Sequence, residues 1–355
     1  MTSRDHGSAA PSPTRLRPGW VAAGAALIGA AAVLGLTVGP VPLPPGRVLL
    51  EVADHLPFVD LDSGLSDRQA AIVWELRLPR VVLGLLVGAM LAVAGASYQG
   101  AFRNPLADPY LLGAAAGAGL GVTIVIVSGL GDGSSLLDPV PVAAFVGALL
   151  AVALAYSVGA AGGAGRSPAA LVLAGVAVAS FLTAVQTYVQ QQNSDTIREV
   201  YTWILGRLTT AGWGDVWILL PYFALSTAVL LAHRRALDVL GVGDREATSL
   251  GLDAQRVRLA VVIAASLSTA AAVSMSGLIG FVGIIVPHTV RLLVGTSFRV
   301  ILPLSLLFGA AFLTLADLLA RTVVSPAEVP IGVITAFFGA PFFVLVLRTA
   351  RGARV

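Results

Sequence analysis

Three observations predict an all-α, polytopic membrane fold of about ten spanning helices. Hydrophobic residues make up 57% of the 355-residue chain and charged ones 12%, where a soluble domain carries about a quarter charged. Runs long enough to cross a bilayer, about 20 residues without an ionisable group, recur along nearly the whole length. The alternation over about ten residues that marks a membrane β-strand is missing.

The first span is predicted at 20–39, after a short tail (1–19) that holds Arg4, Arg15 and Arg17. Its core is longer than that of a signal peptide, and "TVGPVPLPPG" offers no convincing cleavage site, so an uncleaved helix is expected. The long segment 40–78 comes next. In it "PPGRVLLEVADHL" reads as a short interfacial helix. "SDRQAAIVWELR" opens with Ser66 and Gln69 at capping-box spacing and reads as a surface helix leading into span two. The remaining spans fall at 79–101, 110–129, 139–160, 169–191, 216–232, 259–276, 278–294, 300–317 and 331–347.

Charge tests this count. With the N-terminus inside, the inner segments 1–19, 102–109, 161–168, 233–258, 288–299 and 348–355 hold 15 of the 22 arginines and 6 of the 19 acids. That is the positive-inside asymmetry, and dropping one middle helix scrambles it. A single domain over 20–348 with cytoplasmic tails at both ends, the second being 349–355, is therefore expected.

Several functions are excluded by residue type. Cysteine is absent and every basic residue is arginine, so thiolate metal sites and a P-loop lysine are ruled out. The pI of about 9.7 does not signal nucleic-acid binding, because the arginines sit at the ends of apolar runs and not on one face. No G-x-S-x-G, H-E-x-x-H or paired carboxylates suggest a membrane enzyme. An ion-coupled carrier ordinarily has an ionisable group near the bilayer centre; here the one acid within a span is Asp317, at its outer end. "GAAAGAGLG" lies inside a span with no preceding strand, so it is not a dinucleotide loop.

Local chemistry picks out a few positions. In "SYQGAFRNPLADPYLLG" (97–113), Arg103 closes span two, and Asp108 followed by Pro109 is an N-cap and first-turn pair for span three. In 233–258, "HRRALDVLGVGDREATSLGLDAQRVR", Asp244 is placed to cap a helix over 245–250 that Gly251 ends, and Asp253 to cap span seven. So short a helix needs something to dock on. Glycine pairs such as Gly84/Gly88, and the sets Gly113/Gly117/Gly121 and Gly277/Gly280/Gly283, read as close helix packing. His288 reads as a hydrogen-bonded structural residue and not a metal ligand. Gln186 and Gln190–Gln192 suit either a polar substrate or interhelical bonding.

Five ordered stretches carry a resemblance. They are "RLPRVVLGLLVGAMLAVAGASYQGAFRNPLADPYLLGAAAGAGLG", "LVLAGVAVAS", "YTWILGRLTTAGWGDVW", "SGLIGFVGIIVPHTVRLLVG" and "AEVPIGVITAFFGAPFFVLVL". Together they resemble the iron-siderophore and cobalamin (FecCD-type) permeases of ABC importers over roughly 70–350. The resemblance implies a ten-helix type II importer permease that pairs with a second permease subunit, grips two ATPase subunits inside and receives substrate from an extracytoplasmic binding protein. ATP and Mg belong to the ATPase, and this chain is expected to bind no cofactor of its own. Asp244, Arg245, Glu246, Ala247, Thr248, Ser249, Leu250 and Gly251 correspond to the coupling helix. Arg77, Arg80 and Arg321 correspond to arginines that meet the binding protein. Asn104, Leu106 and Ser167 correspond to the cytoplasmic gate, although the sequence departs from the family pattern at 165–168. Ferric siderophore is the expected substrate, with cobalamin and haem as alternatives.

Overall fold

The computed structural model describes residues 15–55, 61–130, 138–161, 168–209 and 211–352; Ser167 lies outside them. All regular structure among these residues is helical: α1 (Pro18–Thr37), α2 (Pro45–Asp54), α3 (Asp67–Ala71), α4 (Leu78–Phe102), α5 (Ala114–Val127), α6 (Pro139–Ala161), α7 (Pro168–Gln192), α8 (Ile197–Ile204), α9 (Trp213–Ala232), α10 (Arg234–Leu240), α11 (Asp244–Ser249), α12 (Ala254–Ser276), α13 (Val282–Val294), α14 (Phe298–Thr322) and α15 (Ile331–Gly352). Seven of the helical stretches are long and apolar enough to cross a membrane, and shorter apolar helices occupy 114–127, 282–294 and 331–344. These ten coincide with the ten predicted spans.

The capping box at Ser66 and Gln69 forms, with the Ser66 amide donating to Gln69 Oε1 at 3.1 Å. The helix it starts is not a separate surface element. It runs on from 67 to 102 through a π-helical turn at Ile72–Arg77, where the Leu78 amide bonds the Val73 carbonyl. Pro79 supplies the reason: its ring clashes with a carbonyl four residues back, and a widened turn relieves that clash without ending the helix.

This long helix is the axis of the molecule. Some 83% of its apolar stretch is buried, against 22% for α1 and for α7. α14, α12, α13 and α9 pack around α4, α1 leans on α14, and α5, α6 and α7 form a second layer against α12. Backbones touch where glycines allow it: an added Cβ at Gly95 would stand 2.1 Å from the Gly283 carbonyl oxygen, and one at Gly88 2.2 Å from that of Gly309.

Two local expectations are corrected. Asp108 does act as an N-cap, accepting from the Tyr110 amide at 2.8 Å, but the element it caps is a 3₁₀ turn over Pro109–Leu112 and not α5 itself. Gly113, at φ +83°, breaks the two apart, and α5 starts at Ala114. The Tyr110 hydroxyl, donating to the Ile279 carbonyl (3.0 Å) and accepting from its amide (3.1 Å), ties this turn to the segment before α13. Likewise Asp244 does not cap α11. Gly243, at φ +128°, is the N-cap, and the Asp244 carboxylate is engaged elsewhere.

Candidate functional site

The elbow after α4 and the bend between α9 and α12 meet at one end of the bundle. α4 ends because Arg103 adopts a left-handed conformation (φ 51°), which lets the Asn104 amide close on the Gln99 carbonyl at 3.1 Å. Asn104 Oδ1 then accepts from the Leu106 amide at 3.0 Å, a side-chain turn that holds the elbow without help from neighbours. Asn104 is exposed and Leu106 half-buried. Desolvation pushes the Asp108 carboxyl up to about 6, against the opposing effect of the Tyr110 amide.

Across from the elbow, α10 buries Leu237 and Leu240, and α11 buries Ala247 alone. Arg245, Glu246, Thr248, Ser249, Leu250 and Gly251 are exposed, with Leu250 at 71% and the preceding Val242 at 62%. The α11 hydroxyls are satisfied within the helix: Thr248 donates to the Asp244 carbonyl and Ser249 to the Glu246 carbonyl. Its outer face is thus left to apolar and charged side chains. Gly251, at φ +82°, ends the turn as expected, and Asp253 caps α12 by accepting from the Arg256 amide at 3.1 Å.

One buried arginine joins the two bends. Arg258 Nε donates to the Ala101 carbonyl in the last turn of α4 (3.0 Å), while its Nη2 meets Asp244 Oδ1 at 2.8 Å. Arg103 approaches the same carboxylate oxygen at 3.5 Å. A carboxylate shared by two guanidiniums, one of them desolvated, holds α11 to the end of the central helix. Asp238 on α10 makes a second junction, accepting from the Phe298 amide (2.6 Å) and Ser297 Oγ (2.8 Å) at the start of α14. Neither Arg258 nor Asp238 was singled out by sequence; their partners are 157 and 60 residues away.

At the opposite end the three predicted docking arginines come together but differ in exposure. Arg77 is buried and donates to the carbonyls of Leu36 (2.7 Å), Thr37 (3.2 Å) and Val41. Arg321 is also buried, donating to the Gly35 carbonyl at 2.6 Å, with Asp317 3.9 Å away. Both therefore fasten the end of α1 to the core. Arg80 forms a two-pronged pair with Asp317 (2.9 and 2.8 Å) and reaches Glu328 with two further bonds (2.9 and 2.8 Å). A pocket of about 210 Å³ opens beside them, lined also by exposed Arg207. The 205–209 segment carrying Arg207 is pinned: its amide donates to the Ser276 carbonyl (2.8 Å), and the Gly332 amide donates to Leu205 (3.0 Å). Glu328 stands in the quoted "AEVPIG" stretch, but nothing local marks it as a partner of Arg80, 248 residues away.

Within the bundle, Gln186 packs against Gly119, and Gln190 Nε2 lies 3.5 Å from Thr123 Oγ1. Gln191 and Gln192 are exposed. His288 is not the hydrogen-bonded residue expected. Its Nδ1 is buried without a partner, and the ring sits edge-on to Phe342, centroids 5.7 Å apart.

The sequence profile of the FecCD transport family matches residues 27–349. The chain is 41% identical over 323 residues to "Uncharacterized ABC transporter permease protein YvrB" of Bacillus subtilis (strain 168), covering 91% of each. It is 44% identical over 289 residues to "Cobalamin import system permease protein BtuC" of Halobacterium salinarum, covering 81% of this chain and 76% of that one. A solved structure titled "An inward-facing conformation of a putative metal-chelate type ABC transporter" superposes with a TM-score of 0.81 at 28% identity, covering 94% of this chain and all of the other. A bundle of membrane-length helices whose two polar bends meet at one end, matched by such relatives over nearly its full length, has one reading: the chain belongs to the FecCD transport family, the multi-pass permeases of ATP-binding-cassette importers.

Proposed function

We propose that this chain is the permease through which a ferric siderophore enters the cell, paired with a second permease subunit and driven by two separate ATPase subunits that carry ATP and Mg. The elbow end faces the cytoplasm in this reading, which its arginine excess supports, with both chain tails inside and the bundle over 20–348 acting as one domain. The observation that carries the reading is the Asp244 junction. Movement of α11 is transmitted through Arg258 to the last turn of α4 and hence to the elbow bearing Asn104 and Leu106, which we assign with Ser167 to the inner gate. A binding protein delivers substrate at the other end. Arg80 and Arg207 face it there, while buried Arg77 and Arg321 hold the surface in shape.

A second substrate, cobalamin, is favoured by the halobacterial relative's 44% identity. Uptake into proteoliposomes containing the cognate ATPase and binding protein, offered ferric siderophores, cobalamin and haem, decides between them. Uptake of the siderophore class alone is expected. Coupling is tested with Val242→Asp and Leu250→Asp. Both side chains are largely exposed, so the permease should fold unchanged, whereas capture of the ATPase should fall by about tenfold or more, each variant losing apolar contact and adding a charge to desolvate. Full capture by the double variant would place the motor elsewhere.

A further inference from the structure

The segment between α1 and α4 forms an outer cap with a small core of its own. Val48 and Val73 pack there with Leu36, Leu43 and Val81, and Trp74 lies against them, apart from the main core of the bundle. Trp74 is the hub of this cap. Its indole Nε1 donates to Glu51 Oε1 at 3.0 Å, and Ser63 Oγ donates to the other Glu51 oxygen at 2.5 Å. The His55 ring lies against the indole, centroids 4.0 Å apart. These contacts gather α2 and the chain after it onto the π-helical turn at Ile72–Arg77.

The backbone of that turn is short of donors. The Leu78 amide, which an unbroken α-helix would give to the Trp74 carbonyl, goes to Val73. The next amide, which a π-helical turn would give it, would belong to Pro79, and proline has none. A carbonyl left unpaired away from water costs stability. This one has a partner from another helix: Trp213, the first residue of α9, donates its indole Nε1 at 2.8 Å. Trp213 packs on the main core and Trp74 on that of the cap, so the bond spans the two. Arg77 and Arg80 follow on the next turns of the same helix.

We infer that Trp213 is a positioning residue for docking: its indole takes the acceptor that Pro79 orphans, and so holds the cap in register with Arg80 on the face that meets the binding protein. The inference rests on the docking end assigned above. Trp213 acts through Trp74 and makes no contact with the binding protein itself. Released from α9, the cap opens more often, and only the closed fraction binds.

The test is a double-mutant cycle on the full-length permease assembled with its ATPase. Two quantities are read well below the thermal midpoint: hydrogen exchange of the amides over 66–80, by mass spectrometry, and affinity for the binding protein. Trp213→Phe should speed that exchange by about tenfold, the usual size for one unpaired backbone acceptor. Binding should weaken by about threefold or more as the closed fraction falls. Pro79→Ala restores an amide that can reach the Trp74 carbonyl. In that background Trp213→Phe should change either quantity by less than about twofold, whereas a general packing defect would persist. If Trp213→Phe does not fold, benzothienylalanine at 213 keeps the shape of the ring and removes only the N–H, and the same results are expected. Unchanged exchange, or equal acceleration in both backgrounds, overturns the proposal, as does faster exchange with unchanged binding. Arg207→Gln, at an exposed position on the same face, separates this role from the docking end itself. Binding weakened by Arg207→Gln but not by Trp213→Phe rejects Trp213 alone. Binding indifferent to both rejects the docking end and this role with it.

Discussion

Asp317→Asn should cost about 3–5 kcal/mol of stability, the usual size when one member of a buried ion pair is removed. Asp317 is 4% exposed and receives both prongs of the Arg80 guanidinium, with Arg321 at 3.9 Å and Arg77 fastened nearby to the end of α1. It is the buried carboxylate among these cations. The asparagine has nearly the same shape and retains an acceptor, so the loss isolates charge from packing. Without the carboxylate, Arg321 is left in a desolvated site with one carbonyl bond. The measurement is the thermal midpoint in detergent, together with the monodisperse yield. Glu328→Gln is the comparison: Glu328 also pairs with Arg80 but its side chain is 28% exposed, and a loss of about 1 kcal/mol or less is expected there. A midpoint for Asp317→Asn no lower than that of Glu328→Gln removes Asp317 from the centre of the cluster.

Gly95→Ala should be nearly as damaging, although it adds only a methyl group. The new Cβ would lie 2.1 Å from the Gly283 carbonyl oxygen and 2.4 Å from its Cα. Both obstacles are backbone, so no rotamer change relieves them, and α13 must move away from α4. Overpacking of this kind costs about 1–3 kcal/mol, sometimes more. The displacement also pulls on the contact between Tyr110 and Ile279 and on the Gly283 carbonyl that accepts from Gln99 (3.2 Å). Folded yield should fall sharply for alanine and to nothing for leucine. Gly280→Ala supplies the contrast. It lies three residues from Gly283 in the same glycine set, yet a Cβ there meets nothing within 4 Å, so stability should stay within about 0.5 kcal/mol of wild type. Equal tolerance at both positions would falsify the close crossing of α4 and α13.

The contrast between Gly95 and Gly280 shows how legible the fold was. Each predicted span contains a helix because hydropathy over about 20 residues is a property of the stretch itself. The same holds for the Ser66 capping box, the Asp253 cap and the Gly251 stop, whose partners lie within a few residues. Which glycine touches a backbone was not legible, since the neighbour is supplied by another helix. Asp244 failed as a predicted cap for the same reason. Read locally it sits where a cap belongs, but Arg258, brought alongside by α12, offers the carboxylate a charged partner, and Gly243 takes over the N-cap.

The arginines make the same division. Their bias toward one side of the membrane, the absence of lysine and cysteine, and the order of the five motifs are readable from residue type and position alone, and they determine that this is a multi-pass permease of its family. Whether a given arginine is a brace or a contact surface was decided by folding. Arg77 and Arg80 are three residues apart, yet one is sealed against α1 carbonyls and the other is turned toward Asp317 and Glu328. Hydropathy and charge bias act on each segment separately, and so survive in the sequence. Burial and ion pairing depend on which distant segments arrive at the same place, and only the packed bundle specifies that.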